Sequence, residues 1–99
     1  MEKSYGNGTI PRPRRDDIKF NAKARKGYER LPPKAAQLID RALSVLERDP
    51  YAGPNIQRLH GDFDGLFRLR VGSYRIVYSI DGEGRVVILL AIGPRGRMY

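Results

Sequence analysis

Two hydrophobic patterns divide this chain. From Ala35 to Leu46 the apolar residues Ala35, Leu38, Ile39, Ala42, Leu43, Val45 and Leu46 recur at helical spacing. They form a broad stripe that predicts a helix from about Pro33 to Arg48, with Lys34, Gln37, Arg41, Ser44, Glu47 and Arg48 on its outer face. From Leu66 to Ser79 the period changes to two. Apolar and polar residues alternate on both sides of Gly72-Ser73, which predicts a β-hairpin with a two-residue loop of type II′, glycine first. That loop fixes the register: Val71 faces Tyr74, Arg70 faces Arg75, Leu69 faces Ile76 and Arg68 faces Val77. One face then carries Phe67, Leu69, Val71, Tyr74, Ile76 and Tyr78. The other carries Leu66, Arg68, Arg70, Arg75, Val77 and Ser79.

The remaining elements follow from punctuation. Ile18-Lys19-Phe20 reads as a short strand. Asn21 is placed to cap a first helix that runs to about Leu31, with Ala24, Tyr28 and Leu31 on one side. Pro32-Pro33 ends that helix and opens the next, so the two helices read as a hairpin. Asp49-Pro50 stops the second helix, and residues 50–64, rich in Gly, Pro, Asn and Asp, read as a loop. Asp81-Gly82-Glu83-Gly84 marks a second turn. Residues 85–93, with the continuous apolar run Val86 to Ile92, read as a third antiparallel strand in a central position, buried on both faces. Residues 1–17 form a basic N-terminal arm broken by Gly6, Gly8, Pro11 and Pro13, and residues 18–99 a single domain. The expected fold class is α+β: an N-terminal strand and a helical hairpin packed on one face of a small antiparallel sheet, with the face bearing Arg68, Arg70 and Arg75 left open.

Charge gives that open face its interest. The formal net charge is +8, which favours an acidic partner such as nucleic acid, an anionic membrane surface or an acidic protein. Like charges directly opposite each other destabilise a sheet, so folding alone gives no reason to set Arg70 against Arg75 beside Arg68. A polyanion does. The chain has no cysteine and one histidine, His60. It therefore cannot assemble a disulfide framework, a thiolate or paired-histidine metal site, or a cysteine-based nucleophilic triad. It has no Gly-rich phosphate loop, and no cofactor is expected. Asp62 and Asp64 read as turn formers next to glycine, and His60 as a loop residue. The longest apolar run, Val86 to Ile92, is too short to span a bilayer, and no apolar signal core precedes Ile18. A cytoplasmic protein without membrane contact is the expectation. Arginine forks bind phosphate oxygens bidentately and stay charged at any accessible pH. RNA carries its own nucleophile, the 2′-hydroxyl, so an arginine and tyrosine site can cleave it without a histidine pair.

In this order, the segments Ala24 to Leu31 with Pro32-Pro33, Leu46 to Asp49-Pro50, Leu59-His60-Gly61, Phe67 to Tyr78, and Ile92-Gly93-Pro94-Arg95 ending in Tyr99 resemble the RelE/ParE toxin superfamily of toxin–antitoxin systems. The resemblance covers about residues 18–99 and is most specific in the hairpin. It implies a ribosome-dependent endoribonuclease that cuts mRNA in the A site, the 2′-hydroxyl attacking the adjacent phosphate. The alternative within the superfamily is a ParE-like toxin that poisons DNA gyrase without being a nuclease. The family's functional positions fall on Arg68 and Arg70 in the first hairpin strand, on Arg75 at the scissile phosphate, on Arg95 after the last strand, and on Tyr99 as the C-terminal tyrosine that orients a base. Arg68 and Arg70 stand where relatives often have lysine. With a pKa above about 12, arginine suits charge stabilisation rather than proton removal. The resemblance also implies a cognate antitoxin as partner, the ribosome and mRNA as targets, and a larger assembly with the antitoxin; with no large apolar surface stripe evident in the sequence, the free toxin is expected to be monomeric.

Overall fold

Asn21 opens the helical layer as its position predicts: its side-chain oxygen accepts from the Ala24 N–H at 2.8 Å. The computed structural model describes residues 17–81 and 86–94. Helix α1 spans Ala22–Glu29 and α2 spans Pro33–Arg48. Pro32 is the N-cap of α2 and Pro33 its first residue, where a missing N–H costs nothing. The Tyr28 hydroxyl donates to Asp40 Oδ1 at 2.7 Å and ties the two helices together. That bond, first, and burial, second, raise the tyrosine's pKa.

Five strands form one sheet in the order β1-β5-β4-β3-β2. They are β1 Asp17–Phe20, β2 Ile56–Arg58, β3 Phe67–Val71, β4 Tyr74–Asp81 and β5 Val86–Pro94. The β3–β4 hairpin has the predicted register at every pair from Val71↔Tyr74 to Arg68↔Val77. Gly72 takes φ +59°, the positive φ that the first residue of such a loop requires. The core lies between the helices and one face of the sheet. It contains Ala24, Ile39, Ala42 and Leu46 from the helices and Phe67, Leu69, Ile76, Tyr78, Val87, Leu89 and Ile92 from the strands. The Tyr78 ring stacks on Phe67 at 5.4 Å, and its hydroxyl donates to the buried Pro50 carbonyl at 2.7 Å.

Four features depart from the sequence expectation. The sheet is mixed, because β1 pairs parallel to β5; a strand joined through two helices to the rest can return in either sense. Residues 56–58, expected as loop, form β2, antiparallel to β3. Residues 59–66 are not an open loop but fold onto the second face of the sheet. There Leu59, Leu66 and Leu90 pack around the buried Val77 and Ala91. Finally, β5 is central, between β1 and β4, but only half-buried at Ile88 and Leu90. A bulge explains its mixed pattern: Val77 pairs with Ala91 and Tyr78 with Leu89, so Leu90 is the extra residue. The bulge reverses the phase of the strand. Val87 and Leu89 before it and Ile92 after it all face the helices. Gly27 in α1 lies so close to β5 that a Cβ there would sit 2.1 Å from the Ile92 carbonyl oxygen.

Candidate functional site

The hairpin brings Arg68, Arg70 and Arg75 onto the face away from the helices. Arg70 and Arg75 are direct partners across β3 and β4. The Arg70 N–H is turned outward to the Asn55 carbonyl at 3.0 Å. Arg70 and Arg75 are therefore a non-hydrogen-bonded pair, the kind in which opposite side chains approach most closely. Arg75 is half-buried and Arg70 exposed. Across the next interface Arg75 faces Gly93 of β5, which has no side chain to occupy the space beside the guanidinium.

Arg68 is half-buried and donates from Nη2 to Gln57 Oε1. Gln57 lies directly opposite it on β2. The partner is a neutral amide, so Arg68 is oriented without having its charge cancelled. Asn55, Gln57, Arg68 and Arg70, with Pro54 and Ile56, line a polar cavity of about 310 Å3 at this sheet edge. The residues that sequence reasoning missed are Gln57 and Asn55. The only signal was the alternation of Ile56, Gln57 and Arg58, too short to announce a strand within a Gly/Pro-rich stretch. Arg58 is a neighbour in sequence but not in function: it lies over the Phe67 ring at 5.3 Å, on the helix side of the sheet.

Arg95 and Tyr99 lie outside the described residues, as do residues 1–16 of the arm and residues 82–85 of the second turn. Arg75 faces Gly93, two residues before Arg95 in the chain. His60, Asp62 and Asp64 are exposed around the short 3-10 turn Gly61–Phe63. The second face is thus divided. Its lower half is closed by Leu59, Leu66 and Leu90, and its upper half carries the three arginines. Two like unit charges about 4 Å apart repel by about 1 kcal/mol in water and about 4 kcal/mol at an effective dielectric of 20. A phosphate held between them converts that repulsion into two attractions, each reinforced by bidentate hydrogen bonds. Fixed positive charge of this kind also stabilises the dianionic phosphorane of an in-line attack more than its monoanionic ground state.

Comparison with known proteins bears on the family of the chain. A sequence model of the family described as ParE toxin of type II toxin–antitoxin system, parDE, matches residues 18–99. Toxin RelG of Mycobacterium tuberculosis is 32% identical over 84 residues, 83% of this chain and 93% of that protein. In the crystal structure of the toxin–antitoxin complex RelBE2 from Mycobacterium tuberculosis, a chain superimposes with a TM-score of 0.72 at 30% identity. The match covers 82% of this chain and 92% of that one. The archaeal RelE–RelB complex from Pyrococcus horikoshii gives a TM-score of 0.71 at 28% identity, covering 83% of this chain and 97% of that one.

Proposed function

This chain belongs to the ParE toxin family of type II toxin–antitoxin systems, within the RelE/ParE superfamily, and on that premise we propose that it is a ribosome-dependent endoribonuclease that cleaves mRNA in the A site. The observation that carries this reading is the Arg70–Arg75 pair with Arg68 beside it on one strand face. Arg75, half-buried and next to Gly93, holds the scissile phosphate. Arg68, oriented by Gln57, and Arg70 balance the charge that develops on the phosphorane, and Arg95, next in sequence after β5, adds to it. Tyr99 orients a base beside the cut. In the reaction the 2′-oxygen bonds to phosphorus and loses its proton, the P–O5′ bond breaks, and the 5′-oxygen leaves protonated. The products are a cyclic phosphate and a 5′-hydroxyl. The arginines stay charged throughout and transfer no proton; water takes the proton of the 2′-hydroxyl and supplies the one that the 5′-oxygen gains.

Replacing Arg75 by alanine tests the reading. The protein should remain folded, since the side chain contributes nothing to the main core, yet growth arrest and mRNA cleavage should vanish. A fully toxic Arg75→Ala protein would remove the phosphate clamp from the account. The family description favours a second reading, a ParE-like inhibitor of DNA gyrase. Mapping 5′-ends on translated mRNA separates the two, because a gyrase poison leaves mRNA intact and induces DNA-damage signalling. A cognate antitoxin is the partner in both, in keeping with the complexes in which its structural relatives occur. The cytoplasm, where ribosomes and gyrase both reside, is the expected location. No described helix is long and apolar enough to cross a membrane.

A further inference from the structure

Tyr51 is 54% exposed, more than Leu38, Val45 or Phe63, yet the turn that carries it is pinned on both sides. Its own N–H donates to Asp49 Oδ1 at 2.9 Å, and the carbonyl of the preceding Pro50 accepts from the buried Tyr78 hydroxyl at 2.7 Å. The Tyr51 ring meets Phe67 edge to face, with centroids 6.1 Å apart and planes at 85°. Arg58, also exposed, sets its guanidinium over the same Phe67 ring, 5.3 Å from the centroid. One buried ring thus gathers an exposed aromatic and an exposed guanidinium. Because the turn is already ordered, a ligand that meets Tyr51 has little of it left to immobilise.

We propose that Tyr51 and Arg58 form a stacking platform for one unpaired base of the mRNA, around the sheet edge from the arginine site. This rests on the nuclease reading above and adds a second hold on the substrate. Strand β2 is the outer strand of the sheet, and consecutive residues of a strand point to opposite faces. Gln57 turns to Arg68, and Arg58, the next residue, turns to Phe67. An RNA strand with a phosphate among the arginines therefore reaches Tyr51 by passing one strand edge, along the polar cavity lined by Asn55 and Gln57. Chemistry selects the occupant. An aromatic face and a guanidinium both stack on a nucleobase, and every base offers a π face, so the contact tolerates any sequence. An aliphatic side chain of a protein partner makes no such contact with Arg58. Bases within a duplex are already stacked on each other, so the platform takes single strands only.

The test uses the full chain and a short single-stranded RNA with 2′-O-methyl sugars, which lack the attacking hydroxyl. The RNA carries 2-aminopurine, whose fluorescence is quenched by stacking, at each position in turn. The variants are Tyr51→Phe, Tyr51→Leu and Arg58→Gln. Tyr51→Phe keeps the ring, and Tyr51→Leu keeps apolar contact with Phe67, which a thermal melt checks. Tyr51→Phe should bind as the parent does. Tyr51→Leu should lower affinity about 10-fold and abolish the quenching. Its salt dependence should keep the parent slope, since no phosphate contact is lost. Arg58→Gln should lower affinity about 3-fold. A duplex of the same sequence should bind the parent and Tyr51→Leu equally. Equal single-strand affinity for the parent and Tyr51→Leu overturns the platform, as does quenching that persists in Tyr51→Leu or an equal loss with duplex. Cleavage of translated mRNA should follow the same order, and full cleavage by a Tyr51→Leu protein with weakened binding also overturns the proposal, because the stacked base would then belong to another RNA. A parent that leaves mRNA uncut but shows Tyr51-dependent quenching refutes the nuclease reading and keeps a single-strand RNA platform.

Discussion

At the scale of single residues, the hairpin arginines set a charge cost against the proposed phosphate site. Arg70 and Arg75 face each other, and a like-charged cross-strand pair costs a sheet a few tenths to about 1 kcal/mol. Replacing Arg70 by glutamine should therefore stabilise the fold by about 0.5 kcal/mol in urea titrations while lowering mRNA cleavage. The gain should shrink as salt rises from 0.05 to about 0.5 M, because screening already weakens the repulsion. A destabilised Arg70→Gln protein would mean that the pair is held by contacts that outweigh its charge. Tyr78 shows the opposite allocation. It is fully buried, and its hydroxyl holds the Pro50 carbonyl. Burial, and then the charge of Asp49, push its pKa well above the ordinary 10.0. The folded state thus keeps this proton more tightly than the unfolded chain, so the contribution is complete below about pH 10 and declines as pH rises further. Tyr78→Phe should cost about 1–2 kcal/mol at neutral pH through the orphaned carbonyl. The parent and variant stability curves should converge above pH 10.

At the scale of elements, what was legible depended on how much each signal relied on its own neighbours. The hairpin register could be read because the two-residue loop and the alternation both act within 14 residues and agree. Helix α2 announced itself through its stripe and the prolines and aspartate at its ends. The short strand β2 could not be read, since three residues beside Gly53-Pro54 acquire extended structure only from pairing with β3. The same holds for residues 59–66, whose two leucines close over Val77 and Ala91 only once the sheet exists. The bulge at Leu90 was hidden by its composition: in a run of Val, Ile, Leu and Ala, a change of phase leaves no polar residue to mark it. For the candidate site, the arginines were visible as a face but Gln57, which orients Arg68, was not, because its partner is an edge strand away. Gly27 is the sharpest case of a tertiary requirement. Helix propensity alone makes Gly27→Ala stabilising by about 1 kcal/mol. The 2.1 Å approach to the Ile92 carbonyl oxygen reverses the sign, because backbone on both sides must separate. The expected loss is about 2–3 kcal/mol in urea unfolding, and a stabilised variant would show that α1 shifts freely over β5.

For the whole molecule the question is whether the net charge of +8 acts as a diffuse field or through one site. Binding to single-stranded RNA distinguishes them, since the logarithm of affinity falls with the logarithm of salt with a slope of about −0.7 per phosphate neutralised. A site in which Arg68, Arg70, Arg75 and Arg95 surround one scissile phosphate engages four phosphates at most, so the slope should be no steeper than about −3. Contact spread over the whole excess of eight charges would steepen it to about −5 or −6. Position sharpens the test. Lys23 and Lys26 are exposed on α1, a helix on the opposite side of the sheet from Arg70 and packed chiefly on β5. Arg75→Gln should therefore flatten the slope by about 0.7 and weaken binding, whereas Lys23→Gln and Lys26→Gln should leave the slope unchanged. Equal effects at all three positions would assign the affinity to the field of the molecule. The arginine face would then be only its densest part, and the hairpin repulsion at Arg70 and Arg75 would lack the focused anion that explains it.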